Sequence, residues 1–174
     1  NTQVLAGDGV APNREGITVN SGIGTYAQVA SEDPLVSVRK ARTTAELSQF
    51  APDAVVVNPV DWERIELSED TAGQFRIIAS VASGAAPRIW GLRVVVSTNI
   101  TGSTAGVGNG GYFLLGGFRE GATLWERSGI DFYLTDSHAS TFTSNIITLL
   151  AEMRAALTVW RPLAFVYGQF ADLA

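Results

Sequence analysis

The sequence predicts an α+β fold, and three observations carry that reading. Residues 33–67 hold two capped helices around a short apolar strand. Further strands follow between residues 92 and 135 with no helical periodicity among them. Last, Ile147, Leu149, Ala151, Met153, Ala155, Leu157 and Val159 are all apolar, while Thr148, Glu152, Arg154 and Thr158 between them are polar. The Ala, Leu, Glu, Met and Arg content of Asn145 to Trp160 favours helix. The alternation favours one long strand, with a helical turn near Ser140 before it.

Taken in order, Asn1 to Gly24 is rich in Gly, Asn and Asp, with turn signals at Gly7-Asp8-Gly9 and Gly22-Ile23-Gly24. It reads as an irregular lead-in with short extended pieces. Asp33-Pro34 then starts a helix: aspartate accepts from free amides as N-cap, and proline at the first helical position loses no bond. Leu35, Val38, Ala41 and Ala45 form its apolar stripe, to about Gln49. Ala54 to Val57 is a fully apolar strand between Pro52-Asp53 and Asn58-Pro59. Asn58 caps a second helix, with Pro59 at its first position, Asp61 in its first turn and Trp62 and Ile65 facing the core. Leu92 to Thr98, Tyr112 to Gly116, Ala122 to Arg127 and Ile130 to Thr135 read as strands, and Leu163 to Gly168 as a closing strand. Thr101 to Gly111, with Gly106, Gly108, Asn109 and Gly110, reads as an exposed hairpin tip between two of them.

The composition is that of a globular chain. Its 174 residues are 46% apolar and 17% charged, and a chain of this length buries roughly 70% of its unfolded surface. The net charge is −5, with Lys40 the single lysine. The arginines are spread along the chain, so no basic cluster is present to neutralise phosphates. With no cysteine, disulfides, thiol catalysis and zinc–thiolate sites are excluded. No apolar run approaches the ~20 residues of a membrane-spanning helix, and the start has no signal-peptide pattern. A start at Asn1 without methionine reads as a fragment or a processed product.

Candidate chemistry is sparse. Gly106 to Gly111 looks like a phosphate-binding loop, but a strand follows where a helix N-terminus is needed. His138 stands beside Asp136, Ser137 and Ser140, yet a catalytic triad needs partners brought together in space and not neighbours in one polar turn. Glu63 with Glu66, and Glu126 with Asp131, lie next to Arg64 and Arg127 and read as solvated faces. The informative blocks are of another kind. Asn58-Pro59-Val60-Asp61-Trp62, Trp90-Gly91 and Arg161-Pro162 each join turn-forming residues to a large apolar neighbour. With Trp125, they are the structural anchors expected of a protein whose function lies in its shape and contacts.

Those blocks, in that order, resemble the major capsid proteins of tailed bacteriophages, the fold named after phage Hong Kong ninety-seven. The resemblance runs from Leu5-Ala6-Gly7-Asp8-Gly9 and Gly16-Ile17 through Val57 to Trp62, Asp70 and Gly73, and Trp90-Gly91-Leu92 with Val94-Val95. It continues with Gly116-Gly117-Phe118, Trp125-Glu126-Arg127, Arg154, Arg161-Pro162 and Ala164-Phe165-Val166. It implies a mixed axial-domain sheet flanked by helices, plus long antiparallel strands of a partial peripheral domain. On that scheme residues 1–24 lead in, 25–121 form the axial domain, 122–160 the peripheral strands, and 161–174 return to the axial domain.

The resemblance also implies a structural subunit of an icosahedral phage or prophage shell around double-stranded DNA, without enzymatic activity or cofactors. Its partners would be identical subunits in pentamers and hexamers, with scaffold or portal proteins. Its place would be the virion capsid, assembled in the host bacterial cytoplasm. The family's N-terminal arm, extended loop and spine helix have no counterpart in these residues. Some members cross-link their shells by an isopeptide bond between lysine and asparagine, assisted by glutamate; Asn145 and Glu152 fall at the matching positions. An encapsulin-type nanocompartment shell is the alternative reading, and an unrelated enzyme on a mixed sheet the second.

Overall fold

The computed structural model describes residues 2–10, 13–27, 29–69, 86–103, 110–135 and 147–171. The chain forms two compact units: Asn1–Thr123 with Val159–Ala174, and Leu124–Thr158.

In the first unit, helix α1 (Thr2–Ala6) and a 3₁₀ turn (Ile17–Val19) precede strand β1 (Gly24–Tyr26). The stretch expected to be irregular therefore carries short regular pieces. Gly7 and Gly16 let its backbone fold back on itself: a Cβ on Gly7 would stand 2.1 Å from the Arg14 carbonyl, and one on Gly16 2.4 Å from the Gly7 amide.

Helix α2 (Pro34–Leu47) begins as the sequence predicts, with the Leu35 amide donating to Asp33 Oδ1 at 2.8 Å; such a cap contributes about 1 kcal/mol. Its stripe of Val38, Ala41 and Ala45 is fully buried, and Ser37 joins it. The helix stops at Leu47 because Gln49 takes a left-handed φ of 66°, the usual way to end a helix without glycine. Strand β2 (Ala54–Val57), buried throughout, leads into helix α3 (Pro59–Glu66).

The other strands are β3 (Arg88–Ile89), β4 (Leu92–Val96), β5 (Tyr112–Gly116) and β8 (Phe165–Gln169), the last preceded by a 3₁₀ turn at Pro162–Ala164. The six strands form one mixed sheet in the order β1-β8-β5-β2-β4-β3. β2 runs parallel to β4 and antiparallel to β5, and β8 lies antiparallel to β5 and parallel to β1. Val55, Val57, Leu92, Val94, Phe113, Leu115 and Val166 share a core with the α2 stripe and with Trp62 and Ile65 of α3. Each such side chain contributes about 1.5–3 kcal/mol by leaving water.

This strand order corrects the hairpin reading of Thr101 to Gly111. β4 and β5 are not neighbours; β2 lies between them, so the connection crosses over the end of β2. A second correction concerns Trp90. With Gly91 it forms a two-residue turn between β3 and β4, with φ of 50° and 81°. Such turns match the twist of the strands but need positive φ at both central residues, which favours Asn-Gly. Tryptophan at such an angle costs on the order of 1–3 kcal/mol. The ring therefore sits at a hairpin tip, 50% exposed, and not in the core.

Helix α4 (Phe118–Gly121) ends this stretch of the sheet unit, and strand β6 (Ala122–Thr135) follows it directly in the chain. β6 is one strand where the sequence suggested two. Gly129, between the two stretches read as strands, has open space where a side chain would begin: a Cβ there would meet nothing within 4 Å. An extended backbone passes through it without conflict. β6 pairs with β7 (Thr148–Val159), the long strand that the alternation predicts. Trp125 is 55% exposed on this ribbon and is no core anchor within the chain. Leu149 and Met153 of the apolar alternation, and Ile130, Phe132 and Leu134 of β6, are exposed as well.

Candidate functional site

The block Asn58 to Trp62 does two jobs at once. The Val60 amide donates to Asn58 Oδ1 at 3.1 Å, which caps α3, while Asn58 Nδ2 donates to the Ile100 carbonyl at 2.7 Å. One side chain thus joins the helix to the crossing connection. Gly102 passes so close that a Cβ there would meet the Asn58 side chain at 2.5 Å. Pro59 fills the first helical position, and Trp62 is 8% exposed against the core, as expected of both.

Asp61 is the unexpected member. The sequence places it only in the first turn of α3, but its side chain is 1% exposed and points at the connection. It accepts from the Ser103 amide at 3.2–3.3 Å and from the Ser103 hydroxyl. Ser103 Oγ in turn accepts from Arg64 Nη1 at 2.9 Å and the Gly111 amide at 2.7 Å. Arg64 lies 3.7 Å from the Asp61 carboxylate. Burial pushes the Asp61 carboxyl above its ordinary range, opposed by the Ser103 hydrogen bonds and the Arg64 charge. A Cβ on Gly111 would come within 2.0 Å of Asp61 Oδ2, and one on Gly110 within 2.1 Å of the Phe170 carbonyl. Both feet of the connection are therefore buried and fixed. Gly106, Gly108 and Asn109 lie outside the described residues.

Sequence reasoning also missed Asp53, taken only as a strand boundary. Its carboxylate accepts from the Phe118 amide at 3.0 Å and the Arg119 amide at 3.2 Å, capping α4 from a distant part of the chain. The one available signal was negative: Gly117, before α4, has no side chain to cap it. Arg161 holds its guanidinium over the Phe50 ring at 5.4 Å, and Pro162 packs near Gly22.

Among the described residues, the candidate chemical groups do not gather into a reaction centre. His138, Asp136, Ser137, Ser140 and Asn145 lie outside the described residues. Glu152 pairs with Arg154 at 3.0 Å, and Lys40 pairs with Glu32, which also accepts from Tyr26 and Ser37. Glu63 is exposed and Glu66 half-buried on α3, and Glu126 and Asp131 are exposed on β6. Among the described residues no group of acidic or histidine side chains is arranged to hold a metal ion, and no helix is long and apolar enough to cross a membrane.

The chain thus combines a mixed sheet, its crossover tied to the Asn58 cap and to Asp61 of α3, with a long two-stranded ribbon. The profile of the Phage capsid family matches residues 1–170, and the chain belongs to that family. It is 28% identical over 171 residues to the major capsid protein of Enterobacteria phage HK97, a match that covers 98% of this chain and 42% of that protein. The chain thus spans less than half the length of that relative. Among solved structures, it resembles the capsid of an empty GTA particle with a TM-score of 0.71 at 21% identity, covering 98% of this chain and 60% of that one. It also resembles a chain from Mycobacterium phage Ogopogo, with a TM-score of 0.74 at 14% identity, covering 97% and 59%.

Proposed function

We propose that this chain is part of the major capsid protein of a tailed phage or prophage, a structural subunit that assembles with identical copies into an icosahedral shell around double-stranded DNA. The family match over residues 1–170 carries the reading. The sheet unit would be the axial domain that gathers in pentamers and hexamers, and the ribbon part of the peripheral domain. The subunit acts through contacts and catalyses no reaction. Its further partners are scaffold or portal proteins, and it assembles in the host bacterial cytoplasm into the virion capsid. The exposed apolar side chains of both units fit a protein buried largely by its neighbours. Electron microscopy of the full-length product expressed alone or with its scaffold is the test. Closed shells are expected; dispersed protein under both conditions would overturn the reading.

A further inference from the structure

Two features of the β3–β4 hairpin are only partly used inside the fold. One is Trp90, half-exposed at a positive φ. The turn is nonetheless held firmly: the indole Nε1 donates to the Leu35 carbonyl at 2.9 Å, and Arg42 donates to the Trp90 carbonyl. The other feature is Arg88 facing Arg93 as a directly opposed antiparallel pair, both exposed. Like charges so placed repel, and among the described residues neither has a carboxylate partner; Arg88 donates only to the Gly91 carbonyl, at 3.3 Å. A rigid, half-exposed tryptophan beside two unneutralised arginines has the composition of an interface anchor, where Trp and Arg are enriched. Val36, next to Leu35 on α2, adds exposed apolar surface.

Helix α3 offers the complement. Positions 60, 63 and 67 fall on one side of a helix. Val60 is 46% exposed, Leu67 just past the helix is 58% exposed, and Glu63 lies between them. Neither Glu63 nor Glu66 has an ion pair among the described residues, because Arg64, the helix's own arginine, turns inward to Ser103 and Asp61. Each chain thus carries one apolar surface edged with arginines and another edged with glutamates.

We propose that the β3–β4 hairpin of one copy docks on α3 of a neighbouring copy, with Trp90 against Val60 and Leu67 and with Arg88 and Arg93 facing Glu63 and Glu66. The two patches differ, so the contact is heterologous, the kind that repeats around a ring. It rests on the shell-subunit reading and adds which residues meet.

The test uses assembled particles of the full-length product, with Trp90 replaced by the photo-cross-linker p-benzoylphenylalanine. Irradiation is expected to join position 90 to residues 60–67 of another copy, identified by mass spectrometry. Particles in which position 90 cross-links elsewhere, or only within its own chain, would overturn the contact. A charge swap provides a second arm that leaves the turn untouched. Arg93→Glu alone and Glu63→Arg alone should each lower particle yield by about tenfold or more, the effect of like charges brought together, and the double variant should restore it. Single variants that assemble like wild type, or a double variant no better than either, would also overturn it. Failure of the wild-type product to assemble at all strikes the shell-subunit reading itself, and the contact with it.

Discussion

The ring of Phe113 lies across the backbone of Gly168, its antiparallel partner: a Cβ on Gly168 would stand 2.3 Å from the ring. On the opposite face the relationship is reversed, with Gly116 making room for the ring of its partner Phe165, where a Cβ would stand 2.3 Å away. Each glycine in the β5–β8 pair is thus the space that a facing phenylalanine fills. Gly168→Ala should destabilise by about 3 kcal/mol, at the upper end of overpacking costs. Gly129→Ala, with open space around it, should change stability by less than about 0.5 kcal/mol. Urea denaturation of both variants decides it; equal midpoints would refute the packing account.

Trp62 and Trp90 should behave differently, although both stood out in the sequence as anchors. Trp62→Ala is expected to cost about 3–5 kcal/mol, the range for emptying a large aromatic from a core. Trp90→Ala should cost less than about 2 kcal/mol, because half of the ring is already in water and the turn strain is unchanged. Thermal unfolding of the two variants gives the order directly.

Asp61→Ala removes the acceptor for the Ser103 amide and hydroxyl and leaves Arg64 without its carboxylate. The expected loss at neutral pH is about 3 kcal/mol. Wild type should also show a pH signature. Because burial raises the folded-state carboxyl above its ordinary 3.8, the folded chain binds the proton more tightly than the unfolded one. This group's contribution to stability is then greatest when protonated and falls as pH rises through the raised value. Asp61→Asn should flatten that part of the stability–pH curve; an unchanged curve would contradict it.

Tyr26 and Tyr167 should titrate late. Burial lifts both hydroxyls to about 12, helped at Tyr26 by the hydrogen bond to Glu32 and at Tyr167 by the stacked Tyr112. Both hold their protons longer in the folded chain, so this stabilisation is present below pH 10 and is lost as pH rises through about 12. Ultraviolet titration of Tyr26→Phe and Tyr167→Phe should each remove one late-ionising tyrosine.

Replacing Thr101 to Gly111 with a two-residue Asn-Gly turn should destabilise the fold by about 3 kcal/mol or more. The gap itself is short, because the Thr101 carbonyl accepts from the Tyr112 amide at 2.8 Å, but Asp61 would stay buried without the Ser103 amide and hydroxyl that donate to it. An unchanged urea midpoint for the replacement would contradict that account.

What could be read from the sequence was what short-range chemistry controls. Asp33-Pro34 and Asn58-Pro59 announced two helices because caps act within a few residues. Ala54–Val57 showed its burial by having no polar position at all. The functions of Asp53 and Asp61 were hidden because their partners, Phe118 and Ser103, lie far along the chain. Trp90-Gly91 was legible as a turn, but whether a large apolar residue at a turn packs inward or faces water depends on the backbone angles, and these leave Trp90 half-exposed. The hairpin reading of Thr101 to Gly111 failed because periodicity identifies strands but not which strand lies beside which.

The position of β8 between β1 and β5 has a consequence for how the chain is made. Gly24 pairs with Val166, so β1 leaves the ribosome well before the strand it pairs with. At typical synthesis rates of about 5–20 residues per second, β1 has no partner and β5 shows an open edge for several seconds at least. Open edges invite pairing with other chains, and many ribosomes reading one message would hold such nascent edges close together. The sheet's topology therefore sets an interval in each chain's synthesis when shielding matters most.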